Sequence, residues 1–377
     1  MRENLEQMAD VRKIRQERVL APRLLHFQRL QVYWQCPSLT ASEAVPDGLS
    51  IVIEDERRDE MKWRQSVHRI DAFKKLGWLE EADMHEFWRL TVASYTKCNL
   101  TKSTDKLMAI ASIASKMRRD FRIYSYGENP AHEEEVYYVG IWQRGFVQQL
   151  AWKVTKWRPA AEPRVYRAPS WTWASVDGVV MPPVRIELEK DYELEVWPSN
   201  GISLQHMMPS VTTGPVHFGS LTVRAALYIL EFQETPSDEK DWEWVESDGR
   251  FHDVFCRLCL DQRLEELSYG NDSTDSVKIS GDKHTRTLKC LVVMLFYAHD
   301  LGTRGGSITF SGSGLAVRRI SGSTIDLYAR FGLVEFNCLG EHAWNKLQAS
   351  MVTKEKMVDD VAPSDNLPTD RFIATII

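Results

Sequence analysis

The sequence contains no apolar run approaching the roughly 20 residues that a membrane-spanning helix requires. Its first residues, Met1–Met8, carry several charges and lack the apolar stretch of a secretory signal peptide. Cysteine is scarce, with six spread over 377 residues. In a chain without a signal peptide, such scattered cysteines are typical of reduced thiols in the cytosol. These absences predict a cytoplasmic protein with no membrane partner.

Catalytic and cofactor-binding motifs are missing as well. There is no Gly-x-Ser-x-Gly elbow and no Cys–His motif that would mark a nucleophile. The glycine-rich stretch 302–314 precedes a predicted strand, which favours a loop over a phosphate cradle. Cys256 and Cys259 have the spacing of zinc ligands, but they lack a second ligand pair, and strand alternation directs them to opposite faces. We therefore predict no enzyme activity, no cofactor and no metal.

The charge balance argues against a nucleic-acid partner. The chain has 47 basic and 53 acidic residues, a net charge of −6 and a pI near 6.0, whereas surfaces that bind phosphate backbones are basic. Hydrophobic residues make up 43% and aromatic residues 10% of the chain, which favours a folded core over disorder.

Helical periodicity is concentrated in the first half of the chain. Apolar stripes predict helices over 60–76, over 81–97, from Ser103 or Thr104 onward, and between Val139 and Val154. In the last of these, Trp142, Phe146 and Leu150 would share one side. Residues 1–18 also read as a polar helix.

Strand patterns dominate after residue 165. Alternation or short apolar runs predict strands at 184–196, 221–232, 254–260, 288–298, 314–320, 324–336 and 372–376. We therefore predict an α+β fold with a helical bundle-like part packed on a mainly antiparallel β part, sandwich or barrel-like. The predicted regions are 1–59 (N-terminal helix, hairpin and loop), 60–165 (helical) and 166–377 (β-rich).

A Trp-rich segment, 166–178, is the most distinctive part of the sequence. Its alternation predicts an extended strand with Trp171 and Trp173 on one face and small residues on the other. Asp177 before Gly178 predicts a tight turn. The two indoles either anchor a core or line a groove for a ligand or partner, and the core is favoured because large aromatics are usually buried. Asp177 is a candidate polar residue of such a groove.

A second candidate site is a hairpin near the N-terminus. Residues 23–27 and 31–35 predict two strands that pair so that Leu25 and Phe27 face Val32 and Trp34. If no other part of the protein covers them, Leu25, Phe27 and Trp34 form an exposed apolar patch, which monomers rarely leave open.

The motif Tyr166-Arg-Ala-Pro-Ser-Trp-Thr-Trp-Ala-Ser-Val-Asp-Gly178 resembles the signature of filamentous-fungal heterokaryon-incompatibility proteins, in the region C-terminal to their heterokaryon-incompatibility domain. Further segments are similar to the same family in the same order. They are Leu20–Phe27, Val32–Cys36, Leu100–Ala114, Tyr137–Trp152 and Tyr328–Phe336.

The resemblance implies a role in allorecognition and programmed cell death. The two motifs expected for the domain itself, Tyr-x-x-Leu-Ser-Tyr-x-Trp-Gly and Trp-Ile-Asp-x-x-Cys-Ile, do not occur, and Lys13 stands where the family has Trp. The death-triggering activity is attributed to that domain, so we expect the 377 residues of this chain to be unable to trigger cell death alone.

We therefore predict a non-enzymatic interaction module that binds a protein partner, either a full-length heterokaryon-incompatibility protein or a second copy of itself. Trp171, Trp173, Asp177, Leu25, Phe27 and Trp34 are its candidate binding residues. One alternative is a hydrolase-like enzyme that uses a Trp-rich cleft; the other is a non-functional gene fragment.

Overall fold

A computed structural model describes part of the 377-residue chain. The described residues are 23–27, 31–36, 39–48, 81–98, 103–125, 136–158, 166–183, 202–206, 216–225, 227–235, 242–244, 254–262, 277–280, 286–300, 309–320, 327–349 and 372–377. The predicted helices at 1–18 and 60–76 and the predicted strand pair at 184–196 lie outside them.

Four α-helices occur among the described residues. They are α1 (Glu81–Thr96), α2 (Ala111–Ser125), α3 (Phe146–Gln149) and α4 (Gly340–Ala349). The bounds of α1 agree with the predicted helix to within one residue, because its apolar stripe is long and uninterrupted. None of the described helices has the length and apolar character needed to cross a membrane.

Two predicted helices are corrected. The helix expected from Ser103 begins instead at Ala111, after two short 3-10 turns at Ser103–Asp105 and Met108–Ile110. The helix expected between Val139 and Val154 is reduced to the single turn of α3. Gly140 and Gly145 both have positive φ (105° and 62°), a backbone conformation that interrupts a right-handed helix.

Three small sheets occur among the described residues of the first half of the chain. The first contains β1 (Leu24–Phe27), β2 (Val32–Gln35) and β3 (Thr40–Ser42), in that order. The other two are hairpin-like pairs: β4 (Tyr137–Tyr138) with β5 (Ile141–Trp142), and β6 (Lys153–Trp157) with β7 (Gly178–Met181).

A ten-stranded sheet is formed by the second half. Its strands are β8 (Ile202–His206), β9 (Val216–Ala225), β10 (Leu227–Glu234), β11 (Trp242–Trp244), β12 (Val254–Leu260), β13 (Val277–Ser280), β14 (Thr287–Asp300), β15 (Thr309–Arg319), β16 (Leu327–Leu339) and β17 (Phe372–Ile376). The strands β12, β11, β10, β14, β15 and β16 are neighbours in that order, and β12 also pairs with β16. This last pairing closes a six-stranded antiparallel barrel, from which β17, β9 and β8 extend.

The barrel interior forms one apolar core. Buried residues from all six strands meet there, and α4 contributes Ala343, Trp344 and Leu347. The Trp344 ring stacks on Phe310 and Phe336 with centroid distances of 5.2 and 5.6 Å. α4 therefore packs against the barrel core, although the sequence pattern did not predict this helix.

A second apolar core joins the first half of the chain to the outer face of the barrel. It contains side chains of α1, α2, β9, β14 and β17 together with five tryptophans: Trp88, Trp142, Trp152, Trp171 and Trp173. β14 is apolar on both faces, because Val292 faces the barrel interior while Val293 faces this second core.

The predicted α+β fold class is wrong, because the protein is mostly β. Strands account for 51% and helices for 25% of the well-defined residues, and no helical bundle occurs among the described residues of the N-terminal half. One cause is the helix predicted between Val139 and Val154 from the spacing of Trp142, Phe146 and Leu150, where the chain forms β5, the single turn of α3 and the start of β6. In addition, the predicted loop 302–314 contains the start of β15 at Thr309. The boundaries 59/60 and 165/166 remain predictions.

Candidate functional site

The sheet β1–β2–β3 exposes the apolar residues that the sequence singled out. Leu25 is opposite Trp34 and Phe27 is opposite Val32, which confirms the predicted pairing. Leu25 and Phe27 are 55% and 78% exposed, whereas Trp34 and Val32 are half-buried. The Arg23 guanidinium lies 6.0 Å from the centroid of the Trp34 ring.

The opposite face of this sheet is the buried one. It carries Tyr33, Gln35, Thr40 and Ser42, all of which are 5% exposed or less. A sheet with one wet face usually turns its polar side chains outward, so this arrangement is inverted. Burying the polar face and exposing Leu25 and Phe27 leaves an apolar surface in contact with solvent, which monomers rarely do.

The Trp-rich segment is not the predicted strand. Thr172 accepts a hydrogen bond from the Ala174 amide, and Trp173–Ser175 form a 3-10 turn. Trp171 and Trp173 are only 0% and 2% exposed, and both belong to the second core, which is the favoured of the two interpretations.

Asp177 and Gly178 do not form the predicted turn either. Gly178 is the first residue of β7, and a Cβ there would lie 2.9 Å from the Lys156 carbonyl oxygen on β6. Close approach of two backbones therefore explains this glycine. Asp177 forms an ion pair with Arg167 at 2.7 Å.

Two indoles converge on one carbonyl oxygen in this core. Trp88 and Trp173 each donate an Nε1–H to the oxygen of Gly140, at 3.0 and 2.8 Å. Gly140 follows Val139, which has φ 52°, in the turn between β4 and β5. A Cβ at Gly140 would lie 2.7 Å from Trp173 Nε1, so both its positive φ and its close contact require glycine.

Two cationic side chains, Lys106 and Arg167, donate hydrogen bonds to carbonyl oxygens of the Trp-rich segment. The Lys106 ammonium donates to the carbonyl oxygens of Trp173 and Val176 at 3.2 and 2.6 Å, and it lies 5.2 Å from the Trp173 ring. Arg167 donates to the carbonyl oxygen of Ala174 at 2.6 Å. Burial lowers the pKa of Lys106 to about 7, because removal from water disfavours the charged amine.

A buried ion pair connects the barrel to the residues that follow α3. Arg330 and Asp261 have side-chain exposures of 0% and 4%, and their closest atoms are 2.8 Å apart. Arg330 also donates to the carbonyl oxygens of Leu150 and Trp152, and its guanidinium lies 3.4 Å from the Trp152 ring centroid. Burial raises the pKa of Asp261, while the Arg330 charge opposes that rise.

The position of Arg330 follows from an irregularity in β16. The register with β15 shifts so that Ala316 pairs with Gly332 and Val317 pairs with Arg330. Phe331 is therefore the extra residue of a bulge, a feature that redirects neighbouring side chains. The sequence did not indicate that four charged residues are buried: Lys106, Arg167, Asp261 and Arg330. A single charged residue in an amphipathic segment carries no signal of burial.

A small cleft lies beside α1. Its wall includes His85, Trp88, Arg89, Trp173 and Pro182. Its volume of about 40 Å³ admits about three water molecules. Arg89 is bound to the exposed Glu86 through two contacts of 2.6 and 2.7 Å, and Trp171 is not part of the wall. The cleft thus offers little room for a ligand.

The cysteines confirm the alternation inferred for β12. Cys256 lies in the barrel core and Cys259 in the second core, on opposite faces of the strand. No cluster of potential metal ligands occurs among the described residues. All six cysteines are free thiols, and burial raises the pKa of Cys256 and Cys259.

Comparison of the chain with protein-family models, with curated proteins and with solved structures found no match.

Proposed function

We propose that this chain is a non-enzymatic, cytoplasmic interaction module of the fungal heterokaryon-incompatibility type, which binds a protein partner through the sheet β1–β2–β3. The observation that carries the proposal is the inverted burial of this sheet. Leu25 and Phe27 are exposed while Gln35 and Thr40 are buried. An exposed aromatic beside aliphatic neighbours is the usual anchor of a protein interface.

Trp171 and Trp173 have a supporting role in this proposal. Trp171 is fully buried and Trp173 contributes only to the wall of the small cleft beside α1, where its N–H already donates to the Gly140 oxygen. We assign to them the anchoring of the segment between the two halves of the chain, and we assign the contact with the partner to Leu25, Phe27 and Trp34.

The hydrolase-like alternative has less support. It needs a Trp-rich cleft that holds a substrate beside a carboxylate, but the cleft next to Trp173 admits only a few water molecules and its Glu86 is engaged by Arg89. His85 also lies in the wall of this cleft, but the small volume leaves no space for a substrate beside it, so we do not propose a reaction.

A binding experiment tests the proposed function. The purified 377-residue chain is mixed with a purified heterokaryon-incompatibility domain and analysed by size-exclusion chromatography and calorimetry. We expect binding or self-association, weakened at least about tenfold by Phe27→Asp. Phe255→Asp, at a strand position that is 53% exposed, is the matched control and leaves binding unchanged.

Two results contradict the proposal. The first is a chain that stays monomeric and does not bind the supplied domain. The second is an equal loss of binding in the Phe27→Asp and Phe255→Asp variants. A separate test concerns cell death, because the chain lacks the two motifs of the heterokaryon-incompatibility domain. Induced expression in a fungal strain is expected to leave growth normal, and death on induction rejects that part.

A further inference from the structure

We draw no further inference here: the strongest candidate, the edge strand β1 with its exposed Leu25 and Phe27, belongs to the surface already assigned to a partner, and nothing among the described residues shows what covers it.

Discussion

Two regions of this chain that contain aromatic residues differ in how far their rings are exposed to solvent. In the Trp-rich segment, Trp173 is 2% exposed and donates its N–H to the Gly140 oxygen. In the N-terminal sheet, Phe27 is 78% exposed. The difference shows that aromatic content alone does not mark a binding surface. The Trp173 indole has a buried acceptor and belongs to the core, whereas the Phe27 ring lies on the face of its sheet that is open to solvent.

The largest effect that tests this difference is expected at Trp173. Replacing Trp173 with Ala removes a buried ring and leaves a cavity beside Tyr95, whose ring centroid lies 6.1 Å away. We expect a loss of about 3–5 kcal/mol in the free energy of unfolding, measured by urea denaturation. Trp173→Phe keeps most of the volume and loses about 1 kcal/mol for the hydrogen bond. An unchanged midpoint for the Ala variant would show that the segment is not an anchor.

The next prediction compares a buried ion pair with an exposed one. Asp261→Asn leaves Arg330 buried without its counter-charge, and we expect a loss of about 3 kcal/mol. The matched control is Glu86→Gln, which breaks the ion pair of Arg89 with a Glu whose side chain is 46% exposed; there we expect less than about 1 kcal/mol. Similar losses in the two variants, measured by the same denaturation, contradict the assignment of Arg330 as a core cation.

A pH experiment tests the cation beneath the Trp-rich segment. The pKa of Lys106 is about 7 in the folded chain, against 10.5 for a lysine side chain in water, so between these values the unfolded chain binds a proton that the folded chain releases. The free energy of unfolding therefore rises as the pH increases from about 7 to about 10.5. This contribution is complete above about pH 10.5, and it is lost as the pH falls toward 7.

Lys106→Met removes this dependence. Between pH 9 and 7, we expect the wild-type chain to lose about 2 kcal/mol more than the Met variant. The other titratable groups are the same in both proteins, so their contributions cancel when the two pH profiles are subtracted. Parallel pH profiles would mean that Lys106 stays fully charged in the folded state.

The smallest effect is expected on the exposed sheet. Phe27→Ser should change the free energy of unfolding by less than about 0.5 kcal/mol, because the ring is mostly in water in the free protein. The same denaturation series measures it. A loss comparable to that of Trp173→Ala would mean that Phe27 packs within the chain and would erase the difference between the two regions.

Short-range patterns predicted several elements to within one residue. The strands at 254–260 and 372–376 and the helix at 81–97 agree with β12, β17 and α1. Each has an uninterrupted alternation or stripe. The predicted strand 221–232 is instead two strands, because β9 ends at Ala225 and β10 begins at Leu227.

Other elements could not be read from spacing. Trp142, Phe146 and Leu150 share a helical spacing, yet they lie in β5, in α3 and just after α3. The turn at Gly140 receives hydrogen bonds from the distant Trp88 and Trp173 on its carbonyl oxygen, and a Cβ at Gly145 would lie 3.0 Å from the distant His85. Because such contacts are absent from a local window, the mostly β character of the fold was not predicted.

Local sequence alone was enough to pair Leu25 with Trp34 and Phe27 with Val32, because a hairpin couples residues that are close along the chain. Which face of that sheet is covered depends instead on the rest of the fold. The fold also brings Asp261, Leu150 and Trp152 to Arg330, across separations of 69 to 180 residues. Burial of a charge depends on every element packed around it, and no single segment carries that information.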